Sequence, residues 1–243
     1  MTGATGNIGR MVVDELLARG ADDVRALTVD PDRATLPPGV DVMYLAPHLP
    51  TVHEACRRAA DAGVGRIVDL AGAKGGEWQG IEDGVEASGV PFTHLEPGEF
   101  MANADLWGPQ IKAGDVVRDT CGDAVNAPVA QEDIAAVAAQ VILQDGHAGR
   151  SYELTGPEAL TRREKVALIG AALGRELTYI DLPRDEAITQ LADAMGEYAA
   201  WYVDGLELLR KHPQHAVPTV ADLLGRPATT FREWARRHVD RYR

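Results

Sequence analysis

A histidine and two carboxylates stand where the sequence could perform acid–base chemistry. His94 and Glu96 lie two residues apart in the segment Thr93–Glu99, and residues two apart on a strand share a face. They could act as a base with its orienting carboxylate or as a general acid and base, and Asp69 ends another predicted strand. A buried carboxylate there would have a raised pKa. The structural alternatives are a buried, backbone-bonded imidazole for His94, an arginine partner for Glu96 and a strand-end cap for Asp69.

The first residues of the chain carry the glycine spacing of a phosphate-binding turn. Glycine permits close approach of the backbone to a pyrophosphate, and the N-terminus of a following helix offers free N–H groups. Apolar residues at helical spacing predict that helix at Asn7–Ala18. The alternative is a glycine-rich turn that binds no ligand. The dinucleotide contacts expected from the turn are Gly3, Thr5, Gly6, Asn7, Ile8 and Gly9.

Further side chains could line a substrate cleft, because they follow the carboxyl ends of predicted strands, where open α/β sheets bind ligands. The aromatic ones could equally be core residues, and the lysine could be solvated in a flexible loop. No cysteine or third histidine stands at ligand spacing, so we expect no metal site. The substrate-binding candidates are Tyr44, His48, Lys74, Trp78, Phe100 and Met101.

Strands alternate with helices along most of the chain, which predicts an α/β fold with a doubly wound parallel sheet covered on both faces. From Leu160 the chain becomes mostly helical, and a capping box at Thr161–Glu164 begins one helix. We predict a nucleotide-binding-type domain at 1–156 and a smaller C-terminal substrate or cap portion at 157–243. The predicted strands are Val24–Val29, Val40–Leu45, Ile67–Leu70, Pro91–Leu95, Tyr152–Leu154 and Leu177–Leu182. The predicted helices are Asn7–Ala18, Thr51–Ala62, Glu77–Ser88, Glu132–Leu143, Thr161–Leu173, Asp185–Leu209 and Thr230–Tyr242.

Composition limits the classes of partner. The chain has 243 residues, and a net charge of −13 argues against nucleic acid and against anionic membrane surfaces. Two cysteines, Cys56 and Cys121, imply no disulfide framework and favour a reducing cytosol. We expect no signal peptide and no membrane span. A small-molecule substrate in the cytoplasm is therefore expected, and the oligomeric state stays open.

Six segments in the same order resemble the NmrA-like branch of the atypical short-chain dehydrogenase/reductases. The resemblance implies a Rossmann-like fold, NAD(P) as cofactor and a nicotinamide-dependent reductase of a small aromatic or quinone-like molecule. The group also includes redox-sensing regulators. The matching segments are Thr2–Arg10, Val24–Leu27, Gly89–Thr93, Leu95–Gly98 with Phe100–Asn103, Asp133–Val137 and Tyr152–Pro157.

The scaffold departs from the family pattern at two places. Family members carry several apolar residues before the glycine turn, whereas only Met1 and Thr2 precede it here. A valine codon taken for the start codon would explain that difference. Between Leu36 and Pro47 about 20 residues of a βα unit, which helps to hold the adenine in relatives, are missing. We therefore predict a truncated Rossmann-like sheet with its first strand and one βα unit reduced.

Two further departures concern chemistry. Val29 stands where relatives that prefer NADP often have arginine, and Asp30 would repel a 2′-phosphate, which favours NAD. The chain has no Tyr-x-x-x-Lys motif, and Ala71–Gly72 replaces the strand-end serine, so the usual proton donor is missing. Three functions stay open. They are the reductase, a cofactor-independent isomerase, cyclase or lyase that uses the acid–base residues named above, and a non-catalytic redox or ligand sensor.

Overall fold

The computed structural model describes residues 1–25, 41–72, 76 and 78–243. The strands in these ranges are β1 (Val42–Leu45), β2 (Arg66–Leu70), β3 (Phe92–Pro97), β4 (Val116–Asp119), β5 (Val125–Asn126), β6 (Arg150–Leu154), β7 (Leu160–Thr161) and β8 (Thr178–Asp181). The α-helices are α1 (Asn7–Ala18), α2 (Val52–Asp61), α3 (Gln79–Glu86), α4 (Gly108–Ala113), α5 (Gln131–Leu143), α6 (Arg162–Leu173), α7 (Arg184–Met195), α8 (Tyr198–Lys211), α9 (Thr219–Leu224) and α10 (Phe231–Arg237). Short 3₁₀ turns lie at Leu49–Thr51, Met101–Trp107 and Val239–Tyr242.

The predicted α/β class is confirmed, and most predicted elements form within a few residues of their expected bounds. The long helix predicted at Asp185–Leu209 divides into α7 and α8, because Gly196 between them takes a φ of +57°. Thr51 does not cap α2, since its hydroxyl lies 2.6 Å from His48 Nδ1 instead. Strand β4 was not predicted. The strand predicted at Val24–Val29 falls mostly outside the described residues.

The described chain divides into two compact units. Unit 1 consists of Met1–Gly98, Gln131–Leu154 and Pro218–Pro227, and unit 2 consists of Glu99–Ala130, Thr155–Val217 and Ala228–Arg243. The domain boundary predicted between residues 156 and 157 stays a prediction.

Unit 1 is built on a parallel sheet with the strand order β1-β2-β3-β6. Helices α2 and α3 cover one face, where Met43, Ile67, Ile81 and Val85 form a buried core. Because side chains alternate along a strand, Leu95 faces the other side, where α5 packs against β2 and β3. Helix α1 in turn packs against α5. Parallel strands with helices on both faces put all strand carboxyl ends at one edge, which is where such sheets bind ligands.

The start of the chain lies beside β1. The Thr2 N–H donates to the Tyr44 carbonyl oxygen at 2.9 Å, and the Ala46 N–H donates to the Thr2 hydroxyl at 2.7 Å. Thr2 thereby satisfies backbone groups at the edge of β1 that a longer neighbouring strand would also satisfy. The truncation of the sheet stays a prediction, since residues 26–40 lie outside the described ranges.

Unit 2 contains two small sheets and a helical core. Strands β4 and β8 pair in parallel, and β5 pairs with β7 in antiparallel orientation. Thr161 begins α6 with the predicted capping box, in which its side chain accepts from the Glu164 N–H. Helices α4, α6 and α10 enclose buried side chains that include Trp107, Ile169 and Trp234. Unit 2 is therefore held by its own apolar core.

No helix in the described part of the chain is long and apolar enough to cross a membrane.

Candidate functional site

The predicted glycine turn is formed in unit 1. Gly3 has a φ of +62°, a left-handed conformation that favours glycine, and a Cβ on it would lie 2.5 Å from the Cβ of Ala46. A Cβ on Gly9 would lie 2.1 Å from the Gly3 carbonyl oxygen. The Gly6 N–H donates to that same oxygen at 2.9 Å. The turn therefore closes in this form only with glycine at positions 3 and 9.

Helix α1 begins directly after this turn, with Gly6 as its N-cap and no capping side chain. In the part of the chain that the structure describes, the N–H groups of Asn7, Ile8 and Gly9 have no acceptor, as expected for a first helical turn. Thr5, Gly6 and Asn7 are exposed, whereas Ile8 and Gly9 are buried. Free N–H groups at the positive end of the helix dipole suit a phosphate. The six predicted cofactor residues thus lie together, and their binding of a dinucleotide stays a prediction.

Asp69 on β2 lies directly opposite His94 on β3 in the register of the sheet. His94 Nδ1 is 2.6 Å from Asp69 Oδ2, and both side chains are fully buried. The ring of Phe92 stacks on the imidazole with the centroids 4.2 Å apart. Glu96 as the carboxylate that orients His94 was one of the two roles considered from the sequence, and the structure has Asp69 in that position instead. The cross-strand neighbour is the partner, because the register puts it directly beside the imidazole.

The surroundings of this pair are acidic. Glu82 of α3 and Glu96 of β3 are buried, and Glu86 Oε1 lies 3.5 Å from His94 Nε2 without forming a hydrogen bond. Burial raises the pKa of Asp69, and burial together with the charge of Glu96 raises the pKa of Glu82. Burial alone would lower the pKa of His94, but the hydrogen bond and charge of Asp69 raise it above its ordinary value. These raised pKa values favour the protonated forms of Asp69, Glu82 and His94.

Several polar atoms of this cluster lack partners. Asp69 Oδ1, Glu82 Oε1, His94 Nε2 and Glu96 Oε1 are buried and form no hydrogen bond within the described structure. No three histidine, cysteine or acidic side chains in the described ranges are arranged to hold a metal ion. The role of His94, Glu96 and Asp69 in catalysis stays a prediction, and their burial does not favour contact with a substrate.

The predicted substrate contacts of unit 1 lie in different environments. Tyr44 is buried in β1, its hydroxyl forms no hydrogen bond within the described ranges, and burial raises its pKa. His48 is exposed beside Thr51. Trp78 is 38% exposed and packs against Gly72, where a Cβ would lie 2.9 Å from the tryptophan side chain. Lys74 lies outside the described residues.

Unit 2 contains a small cleft that brings the other two predicted substrate contacts together. Phe100 and Met101 line it with Trp107, Phe231 and Lys165. Its enclosed volume of about 10 Å³ accommodates one water-sized group. The cleft therefore has apolar walls and a charged floor, but it is much smaller than a typical small-molecule site, and the side chains of Met101, Trp107, Phe231 and Lys165 are buried.

The charged floor contains a closed triangle of hydrogen bonds. Lys165 Nζ lies 2.6 Å from Glu99 Oε2 and also donates to Asn126 Oδ1. Asn126 Nδ2 donates to Glu99 Oε2 at 2.7 Å. Burial alone would raise the pKa of Glu99, but Lys165 and Arg162 hold it at about 2. Burial lowers the pKa of Lys165, and the Glu99 carboxylate opposes that shift.

A second buried ion pair adjoins the triangle. Arg162 donates to Asp119, which also accepts from Trp107 Nε1 at 2.6 Å. Arg162 further donates to the hydroxyls of Tyr179 and Tyr202, and Tyr202 donates to Glu99 Oε1 at 3.0 Å. One network thus joins β4, α6 and α8 within unit 2.

Four residues of this network were not predicted as functional: Arg162, Lys165, Asp119 and Asn126. Charged residues at the start of a helix usually lie in solvent, so the residue types alone did not mark Arg162 and Lys165 as buried. Their spacing of three residues on one helix face was the available signal, because it gives two cations a common direction.

No model of a known protein family matches the chain. The (4-alkanoyl-5-oxo-2,5-dihydrofuran-3-yl)methyl phosphate reductase of Streptomyces griseus is 35% identical to it over 281 residues, which cover 100% of this chain and 98% of the relative. This aligned length exceeds the 243 residues of the chain, so some residues of the relative are aligned with gaps in this chain.

Two solved structures share the architecture. The NADPH-dependent quinone oxidoreductase of Escherichia coli in complex with NADPH is 24% identical, with a TM-score of 0.85 over 96% of this chain and 97% of that chain. The Citrobacter sp. triphenylmethane reductase in complex with NADP(H) is 18% identical, with a TM-score of 0.83 over 98% of each chain. At these identities the two structures establish the fold. Together with the whole-length similarity to a reductase, they show that the chain belongs to the NmrA-like group of atypical short-chain dehydrogenase/reductases, the Rossmann-fold reductase family predicted from its sequence.

Proposed function

We propose that the chain is an NAD(P)H-dependent reductase of small aromatic or quinone-like molecules. The observation that carries the proposal is the glycine turn, which closes only with glycine at positions 3 and 9 and leads into an uncapped helix N-terminus. A reduced nicotinamide coenzyme supplies hydride when it is bound. The residues proposed to hold its pyrophosphate are Gly3, Thr5, Gly6, Asn7, Ile8 and Gly9.

The relatives support the same activity. The Streptomyces griseus relative is named as a reductase, and the two structural neighbours are reductases in complex with NADPH or NADP(H). Two of them are named for conjugated or aromatic substrates, a quinone and a triphenylmethane dye. A small-molecule substrate also agrees with the net charge of −13. We propose the cytoplasm as the compartment, because neither Cys56 nor Cys121 is in a disulfide.

The roles of the chain's own groups follow from their positions. The backbone N–H groups at the start of α1 bind and orient the phosphates. Phe100 is partly exposed and offers apolar surface to the acceptor within unit 2, whereas Met101 is buried and supports it from the core. Asp30 follows Val29 in the sequence and would repel a 2′-phosphate, so we propose that NADH is preferred to NADPH.

The cofactor-independent alternative has less support. It needs His94, Glu96 and Asp69 to meet a substrate, whereas His94 and Asp69 are completely buried and Glu96 is 9% exposed. We propose that the Asp69–His94 pair stabilises unit 1. No observation specifically favours a non-catalytic sensor.

Steady-state assays test the proposal. Purified protein is mixed with NADH or NADPH and with 1,4-naphthoquinone, and loss of the reduced nicotinamide is followed by absorbance. We expect multiple turnovers, with a higher kcat/KM for NADH than for NADPH. Absence of turnover with either coenzyme across a series of quinones, azo dyes and triphenylmethane dyes would contradict the proposed reductase. Faster turnover with NADPH would contradict the coenzyme preference alone.

A further inference from the structure

Helix α8 of unit 2 exposes three large apolar side chains on one face. Tyr198, Trp201 and Leu208 are 58%, 43% and 58% exposed. The opposite face of the helix packs inside unit 2 through Val203 and Leu206. Apolar side chains that are exposed as a group, unlike single scattered ones, are typical of an interaction surface.

The spacing of this exposed face is that of a coiled-coil seam. Tyr198, Trp201, Gly205 and Leu208 follow one another at alternating steps of three and four residues. Residues at these steps lie along one line of a helix and fit between the side chains of a second helix. Because α8 has 14 residues, the seam extends along about 21 Å. Its natural complement is therefore another helix.

Gly205 lies in the middle of this seam, although glycine destabilises the interior of a helix relative to alanine. A Cβ at this position would meet no atom of the described structure within 4 Å, and the backbone there is not left-handed. Packing within the chain therefore gives no reason for glycine at position 205. A gap in one helix does accommodate a large side chain of a facing helix, because large and small residues interdigitate across such contacts.

The charges beside the seam are opposite at its two ends. Glu197 is the N-cap of α8 and Lys211 is its last residue, and both are exposed and form no ion pair with any described residue. Asp204 lies between them and is paired with Arg184 at 2.8 Å. An acidic first turn and a basic last turn are complementary to the same helix in the reverse direction, and antiparallel helix dipoles also attract.

We propose that α8 packs antiparallel against α8 of a second copy of this chain and forms a symmetric dimer. The heptad register that brings Glu197 beside Lys211 of the second copy also brings Trp201 over Gly205 of that copy. Two-fold symmetry repeats both contacts. One register thus satisfies charge and size together, which favours a second copy of this chain over an unrelated partner.

The proposed dimer should be weak and detectable. One pair of helices buries less surface than the about 1,600 Å² of a standard interface, so we expect a dissociation constant of about 20 μM. Sedimentation equilibrium of the full chain at concentrations from about 5 to about 300 μM brackets that value. The runs use a low salt concentration of about 50 mM, because salt screens exposed charge pairs.

Charge reversal tests the register. Glu197→Lys brings like charges together at both ends of the interface, and we expect it to weaken the dimer at least about tenfold. The double change Glu197→Lys with Lys211→Glu restores opposite charges and should return the dissociation constant to within about threefold of the wild-type value. Glu176→Lys makes the same change of charge at an exposed residue outside α8 and should leave the dimer unchanged.

Truncation of the tryptophan tests the apolar part of the interface. Trp201→Ala removes the side chain that faces Gly205 of the second copy, and we expect it to weaken the dimer at least about tenfold. Circular dichroism confirms that each variant is folded.

The outcomes support or overturn the proposal without reference to the coenzyme. Wild-type protein that is monomeric at about 300 μM, more than tenfold above the expected dissociation constant, would overturn it. Unchanged dimers of Glu197→Lys or folded Trp201→Ala, or a double variant that stays monomeric, would also overturn it. Loss of the dimer in Glu197→Lys with recovery in the double variant supports it, because only a second copy of the chain carries both altered charges.

Discussion

His94 is the residue whose ionisation links most directly to the stability of unit 1. Its imidazole is buried against Asp69, with Glu82, Glu86 and Glu96 also facing it or its partner. Because Asp69 raises the pKa of His94, the folded state binds a proton more tightly than the unfolded chain does. The stabilisation is fully present below the ordinary histidine pKa and is lost as the pH rises through the folded pKa. The raised pKa values of Asp69 and Glu82 act in the same direction.

We predict that the free energy of unfolding falls as the pH rises above about 6.5, the ordinary histidine pKa. His94→Gln should flatten this slope and should destabilise the protein by about 3 kcal/mol at the acidic end, because it breaks a buried ion pair. Urea unfolding at a series of pH values measures both effects. His53→Gln, at an exposed histidine of α2, is the control. Equal slopes for wild-type protein and His94→Gln would contradict this account of the pair.

Helix α6 and strand β4 contribute Arg162, Lys165 and Asp119 to the buried charged network of unit 2. Thr161 and Glu164 fix the start of α6, and the first turn of that helix carries Arg162 and Lys165 into the interior. Strand β4 ends at Asp119, which meets Arg162. The position of the Arg162–Asp119 pair therefore depends on one helix start and one short strand.

The capping box of α6 should have a measurable contribution to stability. Thr161→Ala removes the hydroxyl that accepts from the Glu164 N–H, and we expect a loss of about 1 kcal/mol. Thr161→Ser keeps that acceptor and should retain most of the stability. Thermal and urea unfolding of the two variants give the comparison. A serine variant as unstable as the alanine variant would mean that the methyl group, and not the cap, is responsible.

The buried ion pair between Asp119 and Arg162 should contribute more to the free energy of unfolding than an exposed ion pair in the same unit does. Asp119→Asn leaves Arg162 without its anion in the interior, and we expect a loss of about 3 kcal/mol or more. Asp115→Asn removes the exposed partner of Arg175 and should change stability by less than about 1 kcal/mol. Urea unfolding of both variants under one set of conditions gives the comparison. Similar losses in the two variants would show that burial of the Asp119 pair has no special effect.

The sequence predicted elements well where the apolar pattern is regular, and poorly where charges are buried. Helices α1 and α5 have clear helical patterns and form almost as predicted. Strand β4 was not predicted, because the buried side chain of Asp119 is charged and interrupts the apolar pattern of the strand. The glycine turn was predictable because its constraint is local. The partner of His94 was not, because it depends on the register between β2 and β3, which no spacing within one strand can give.

For the whole molecule, the family relationship and the glycine turn point to the same activity. The similarity to the Streptomyces griseus reductase extends over 100% of the chain, so it includes residues of both units. Unit 1 contains the turn, and unit 2 contains the apolar cleft with its charged floor. The turn is the proposed coenzyme site, and the position of the acceptor site stays a prediction.

We propose that a nicotinamide dinucleotide binds at the turn that Gly3 and Gly9 close. Isothermal titration of NADH into wild-type protein, Gly9→Ala and Gly205→Ala tests this proposal. A Cβ at position 9 collides with the Gly3 carbonyl oxygen, whereas a Cβ at position 205 in α8 meets no atom within 4 Å. We predict that wild-type protein and Gly205→Ala bind NADH equally and that folded Gly9→Ala binds at least about tenfold more weakly. Absence of NADH binding by wild-type protein at millimolar concentration, or equal binding by Gly9→Ala, would contradict the account.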